Sequence, residues 1–256
     1  MSTVFDSHAY ARNVTAVAQQ NGWQQASMSA VRGYARPWFH LPAATLAPMR
    51  LYISAGIHGD EPASSYAALE LLKHVDWFAG CEVFLFPLLN PAGMELGTRE
   101  NADGIDLNRD YHAGSTEEVS QHQAALNQLP RCHLYLHLHE DWEAAGAYLY
   151  EVQPPHEPSA TPALLSALAK HLPIEQATSI DGFDAEGGVI TRPPPLPERD
   201  DWPEVYYFEH QYGDYHGYTL ETPSALTLDQ RIAGHVAAVH AAADFLRANR
   251  TAFDRS

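Results

Sequence analysis

Two short apolar runs rich in strand formers, LYISAG at 51–56 and EVFLFPLLN at 82–90, enclose a helix-prone stretch, EPASSYAALELLKHVDWF at 61–78. Asp60 is a cap-like residue before that helix, and Pro62 suits its first turn. This strand, helix, strand unit constrains the fold more than any other feature. Further along, HLYLHLHE at 133–140 alternates strictly, with Leu134, Leu136 and Leu138 on one face and His133, Tyr135, His137 and His139 on the other. HGYTLET at 216–222 reads as another strand. The C-terminal TLDQRIAGHVAAVHAAADFLRAN has Thr227 as a cap and apolar residues at helical spacing, so it lies amphipathically on the sheet. Alternating strands and helices argue for an α/β sandwich. Two proline-rich patches, 151–162 and 191–204, read as ordered surface loops, because proline lacks the backbone donor and fixes φ.

A length of 256 residues with 45% hydrophobic content suits one domain, 1–256, with a substantial core. Lys and Arg total 15 against 32 Asp and Glu, and the net charge of -17 repels nucleic acid and anionic membrane surfaces. Neither is expected as a partner. The longest apolar stretch, VFLFPLL at 83–89, is far below the ~20 residues of a membrane-spanning helix. The start, MSTVFDSHAY, lacks the basic and apolar segments of a secretory signal, and two cysteines offer no disulfide framework, so a cytoplasmic location is expected. Oligomeric state is not legible.

His58 and Glu61, in AGIHGDEPAS, stand where a strand ends and a helix begins, the edge at which open α/β sheets gather their ligand sites. They supply nitrogen and oxygen donors for zinc, and Gly59 between them allows a sharp turn. Taken alone, so short a pattern equally describes an ordinary helix start. Two better-known zinc patterns are excluded: H-E-x-x-H does not occur, and H-x-x-E-H needs histidine where Pro62 stands. The next loop, NPAGMELGTRENADGIDLNRD at 90–110, carries Arg99, Asn108 and Arg109, donors that a loop at the strand edge could present to a carboxylate or a developing oxyanion. A solvated charged loop is the plain alternative. Both His137 and His139 are offered as a further ligand from one strand face.

GIHGDE, then NPAG, then GTRENADGIDLNRD, in that order and spacing, resembles the zinc carboxypeptidase family, and the last segment is similar to its bacterial murein-peptide amidases. The resemblance spans roughly 51–223 and implies a three-layer sandwich with a mixed central sheet flanked by helices. It implies one Zn²⁺ ion held by His58, Glu61 and His139, the last chosen because the family places its ligand at the end of such a strand. His137 stands where relatives commonly carry Asp or Ser. By the same resemblance Arg99 polarises the scissile carbonyl, Asn108 and Arg109 clamp a terminal carboxylate, and Asp106 orients His58. Glu221, in YTLETPS, becomes the proton-transferring carboxylate, with Glu140 and Glu209 the next candidates. A substrate-covering tyrosine could be Tyr206, Tyr207, Tyr212, Tyr215 or Tyr218. Residues lining the side-chain pocket are expected from 142–215, both proline-rich loops included.

The implied activity is zinc-dependent carboxypeptidase or amidase cleavage beside a free carboxylate, releasing a terminal amino acid from a small peptide. An N-acyl amino acid deacylase of the succinylglutamate desuccinylase/aspartoacylase type is the near alternative, and the chain is short for the additional C-terminal domain of that branch. An inactive carboxylate-binding module would not need the complete set of ligands, polariser, clamp and base. Serine chemistry has no G-x-S-x-G to stand on, and Cys132 has no recognisable partner.

Overall fold

The computed structural model describes residues 5–45, 47–152, 158–193, 196–213 and 215–253. Its first half runs α1 (Ser7–Gln20), β1 (Gln24–Val31), β2 (Tyr34–Leu41), β3 (Met49–Ala55), α2 (Pro62–Leu71), β4 (Cys81–Phe86), α3 (Pro91–Leu96), α4 (Glu117–Leu126) and β5 (Leu134–Asp141). Its second half runs β6 (Tyr148–Val152), α5 (Thr161–Leu168), β7 (Ser179–Ile180), β8 (Phe183–Asp184), β9 (Val189–Thr191), α6 (Glu204–Tyr212), β10 (Gly217–Pro223), α7 (Leu228–Ala248) and α8 (Arg250–Phe253). Eight strands form one mixed sheet in the order β1-β2-β4-β3-β5-β10-β6-β9, with β7 and β8 paired apart. The pairs β3–β4, β3–β5, β10–β5 and β6–β9 are parallel, whereas β1–β2, β2–β4 and β10–β6 are antiparallel.

Side-chain alternation divides the core into the two halves of a three-layer sandwich. Leu51, Ile53, Leu134, Leu136, Leu138 and Leu220 pack with α1, α2, α5 and α7. Tyr52, Phe84, Phe86 and Tyr135 face the opposite side, against α4 and α6. Both faces of β5 are therefore buried, with the histidines opposite the leucines as the alternation requires. Thr227 caps α7 through a reciprocal box with Gln230, and Ala238, Val239, Ala242, Ala243 and Leu246 bury its apolar stripe.

Several local expectations are corrected. The helix expected over 61–78 stops at Leu71, where backbone bonds tighten to i→i+3, and Val75–Phe78 forms a separate 3₁₀ turn. Its N-cap residue is Glu61 rather than Asp60, and the Glu61 side chain makes no capping bond because it is engaged elsewhere. The proline-rich patches are not wholly loop. Glu151 and Val152 end β6, and Pro162 lies in the first turn of α5, where a missing N–H leaves no helical bond unmade. Thr191 ends β9 and Glu204 begins α6, while Pro154, Pro155, Pro194 and Pro195 lie outside the described residues. The polar edge strand β1 and its partner β2 carry too little apolar alternation to be read as strands in advance.

Candidate metal centre

The parallel strands β3, β5 and β10 deliver their C-terminal ends to one edge of the sheet. From β3 the chain passes to β4 on one side and then returns to β5 on the other, so the strand order reverses between β3 and β5. A crevice opens at such a reversal. His58 follows β3 into this crevice, His139 lies near the end of β5, and Glu221 faces His139 in the β10 register.

Three donors converge here. His58 Nδ1 lies 2.5 Å from Glu61 Oε1, and His139 Nδ1 lies 3.0 Å from Glu61 Oε2 and 3.2 Å from His58 Nδ1. All three side chains are buried. Tetrahedral zinc with bonds of about 2.0–2.1 Å sets its ligand atoms roughly 3.3 Å apart, so this donor set fits the ion with sub-ångström adjustment. Burial would raise the Glu61 carboxyl, but the two imidazoles hold it well below the usual carboxylate range. It is thus an anion ready to ligate.

The loop that presents His58 owes its shape to close packing. Gly59 lies in the expected tight turn, closed by Glu61 N donating to the His58 carbonyl at 3.4 Å, and a Cβ on it would lie 1.9 Å from the Gly93 backbone. Asn90 ties the two loops together, accepting from Gly93 N at 2.9 Å and donating to the Ile57 carbonyl at 3.1 Å. That bond explains why NPAG accompanies GIHGDE.

Asp106 Oδ1 stands 3.3 Å from His58 Nε2, and Asp106 Oδ2 accepts from Arg99 Nε at 2.9 Å. Arg99 reaches onward, its Nη1 lying 3.3 Å from His58 Nδ1 and 3.6 Å from Glu61 Oε1. Asn108 is fixed by its neighbours, its backbone N–H donating to Asp106 Oδ1 and its own Oδ1 accepting from Glu204 N, both at 2.8 Å. Arg109 is exposed, donating to the Asn108 carbonyl at 2.7 Å, with Asp201 3.8 Å away.

The three converging donors, Arg99, Asp106, Asn108, Arg109 and Glu221 line one cavity of 640 Å³. Burial first, and then the neighbouring Glu61 and Asp141, push the Glu221 carboxyl well above its ordinary range. The next-best carboxylates are otherwise placed: Glu140 is engaged by Ala63 N and Arg231, and Glu209 is not among the cavity-lining residues. His137 lies apart from the three converging donors, its Nδ1 3.1 Å from Glu204 and its Nε2 bonded to Tyr215. Of the five tyrosines considered as covers, Tyr206 lines the cavity.

Most of the remaining lining comes from 142–215, as expected, although the individual wall residues were not legible. Tyr148 and Tyr150 reach the cavity from β6, and Arg192 stacks on Phe183 with its guanidinium carbon 4.2 Å from the ring centroid. Glu204 gave no signal beyond an acidic residue after a proline, and its burial follows from how α6 docks on the sheet.

Residues 47–242 match the succinylglutamate desuccinylase/aspartoacylase catalytic domain. The chain belongs to that family. The match is to the catalytic domain alone, so the shortness of the chain does not count against this branch. No curated protein matches in sequence at a significant level. Among solved structures, a Shewanella amazonensis protein assigned to the metallopeptidases shares 24% identity at a TM-score of 0.80, covering 93% of this chain and 92% of the other. A metallo-carboxypeptidase from Burkholderia cenocepacia follows at 18% and 0.72, covering 95% and 70%. The murein-tripeptide amidase MpaA of Escherichia coli O157 shares 18% at 0.59, covering 87% and 91%. This desuccinylase/aspartoacylase family member therefore has the fold of the zinc carboxypeptidases and of the metallohydrolases around them.

Proposed function

We propose that this chain is a zinc-dependent hydrolase that cleaves an amide bond beside a free carboxylate and releases a terminal amino acid from a small peptide. The observation that carries the reading is the convergence of His58, Glu61 and His139 on one point at the floor of a cavity that also holds Glu221, Arg99, Asn108 and Arg109. A zinc ion held by the three ligands would activate a water and polarise a carbonyl. The other roles fall to the protein. Arg99 places a guanidinium where negative charge develops on the carbonyl oxygen. Glu221, half-buried beside Glu61 and Asp141, takes a proton and returns it to the leaving nitrogen, a task its raised pKa suits. Asn108 and Arg109 donate to the substrate carboxylate, and Asp106 holds the His58 ring.

The family match favours a second reading, an N-acyl amino acid deacylase. It uses the same groups, because that substrate also carries a carboxylate beside the amide. Incubating the zinc-loaded protein with short peptides, cell-wall peptides and acylated amino acids, and measuring released amine, ranks the two. Failure to cleave any of them would overturn both.

A further inference from the structure

One buried cluster has no part in the proposed mechanism. It lies under the cavity, between the sheet and α6, and centres on Glu204. This residue opens the first turn of α6, but its carboxylate is bound to the sheet: Oε1 accepts from the Tyr52 hydroxyl at 2.5 Å, and Oε2 accepts from Ser54 Oγ at 2.9 Å and lies 3.1 Å from His137 Nδ1. The chain of contacts continues, since the Tyr52 hydroxyl also meets His122 Nε2 at 3.0 Å and His122 Nδ1 meets the Tyr111 hydroxyl at 2.6 Å. Burial would push the Glu204 carboxyl up, but the adjacent His137 and these hydrogen bonds bring it down to about 2. A buried carboxylate with three donors is a stiff anchor, because moving it would leave an unsatisfied charge in a low dielectric.

One bond leads from this anchor to the cavity. The Glu204 backbone N–H donates to Asn108 Oδ1 at 2.8 Å. An N–H requires an acceptor, so the bond assigns the carboxamide: its oxygen faces α6, and its NH₂ is left for the cavity that Asn108 lines. Pro203, Val205 and Tyr206, which flank Glu204, line the same cavity, so one anchor sets both the wall and the donor.

We infer that Glu204, held by Tyr52, Ser54 and His137, is a positioning residue that fixes the start of α6 and aims the Asn108 NH₂ at the substrate carboxylate. This rests on the reading of the site as one that cleaves beside a free carboxylate. The consequence is that preference for a free acid depends on four side chains, Tyr52, Ser54, His137 and Glu204, that stand outside the cavity lining.

The test compares the zinc-loaded full chain with Glu204→Gln and with the milder Ser54→Ala, which removes one of the Glu204 contacts together with a contact to His137 and stands in if the first variant does not fold. Two readouts are taken: the Asn108 side-chain amide resonances, identified by their loss in Asn108→Ala, and KM and kcat on free-acid and C-terminally amidated forms of one substrate. The expected result is that the Asn108 resonances move and that KM for the free acid rises about tenfold, with kcat and the amidated substrate little changed. In the Asn108→Ala background the same substitutions should raise KM no further. A residue that merely supports the fold would instead slow both substrates alike. Unmoved Asn108 resonances in a folded variant would overturn the inference. If the wild-type protein shows no preference for the free acid, the proposed function fails, and the resonances still decide whether Glu204 positions Asn108.

Discussion

Substituting the two inward-facing histidines of β5 should produce opposite losses. His139 Nδ1 sits 3.0 Å from Glu61 and 3.2 Å from His58 Nδ1, whereas His137 has both ring nitrogens committed to Glu204, Ser54 and Tyr215. Four-ligand zinc sites bind with about 10–16 kcal/mol, or roughly 3 kcal/mol per ligand, so His139→Ala should weaken metal binding by ~10²-fold. His137→Ala should leave the affinity near wild type and damage the fold instead. Taking a hydrogen-bond partner from a buried carboxylate costs about 1–3 kcal/mol, which for a chain of this size lowers Tm by roughly 5 °C. The assay is competition of each purified variant against a chelator of known zinc affinity, with elemental analysis for stoichiometry and a thermal melt for stability. If His137→Ala emptied the site while His139→Ala held zinc at wild-type strength, the ligand assignment would be refuted.

Glu221→Gln should keep the metal and lose turnover by ~10²-fold or more, while raising the Tm of the chelator-treated protein, since its carboxyl is held well above its ordinary range and ionising it at neutral pH opposes folding. Near-normal turnover on a verified substrate would move the proton chemistry elsewhere. Arg99→Ala should lower kcat more than it raises KM, as steady-state kinetics would show. Arg109→Lys should raise KM for the free acid by roughly tenfold, a modest effect because the side chain is 41% exposed; equal KM values for acid and amide in the wild type would contradict the clamp. Acid should destabilise the protein before its carboxylates titrate. His122 and His235 are buried, which lowers them to about 4 and about 3, so the unfolded chain binds their protons first and stability falls as pH drops from about 6.5 through that range. Denaturant melts from pH 8 to 4 would show this as a slope of up to about 1.4 kcal/mol per pH unit for each ring, and a flat profile down to pH 5 would exclude it.

Local chemistry was legible wherever it repeats along the chain. Alternation in HLYLHLHE separates leucines from histidines, and β5 buries both faces as that pattern requires. Thr227 three residues before Gln230 announces the capped start of α7. Short motifs at the ends of β3, β5 and β10 named the residues that the parallel sheet brings to one edge, because parallel pairing aligns the ends of strands that are distant in sequence. Conversely, sequence could not choose between His137 and His139 from their types, since both occupy one face of one strand. Depth separates them: His139 lies near the strand end beside the His58 loop, and His137 lies one pleat deeper, where α6 brings Glu204 against it. Asp60 was misjudged for a related reason, because a cap is a local role, whereas the Glu61 carboxylate beside it is committed to partners across the fold; Gly59 makes the expected turn, and only its close approach to the Gly93 backbone was not legible. The cavity walls were least legible, since β6, β9 and α6 acquire neighbours only when the sheet order places them beside β10, and no periodicity along the chain encodes which elements that order brings together.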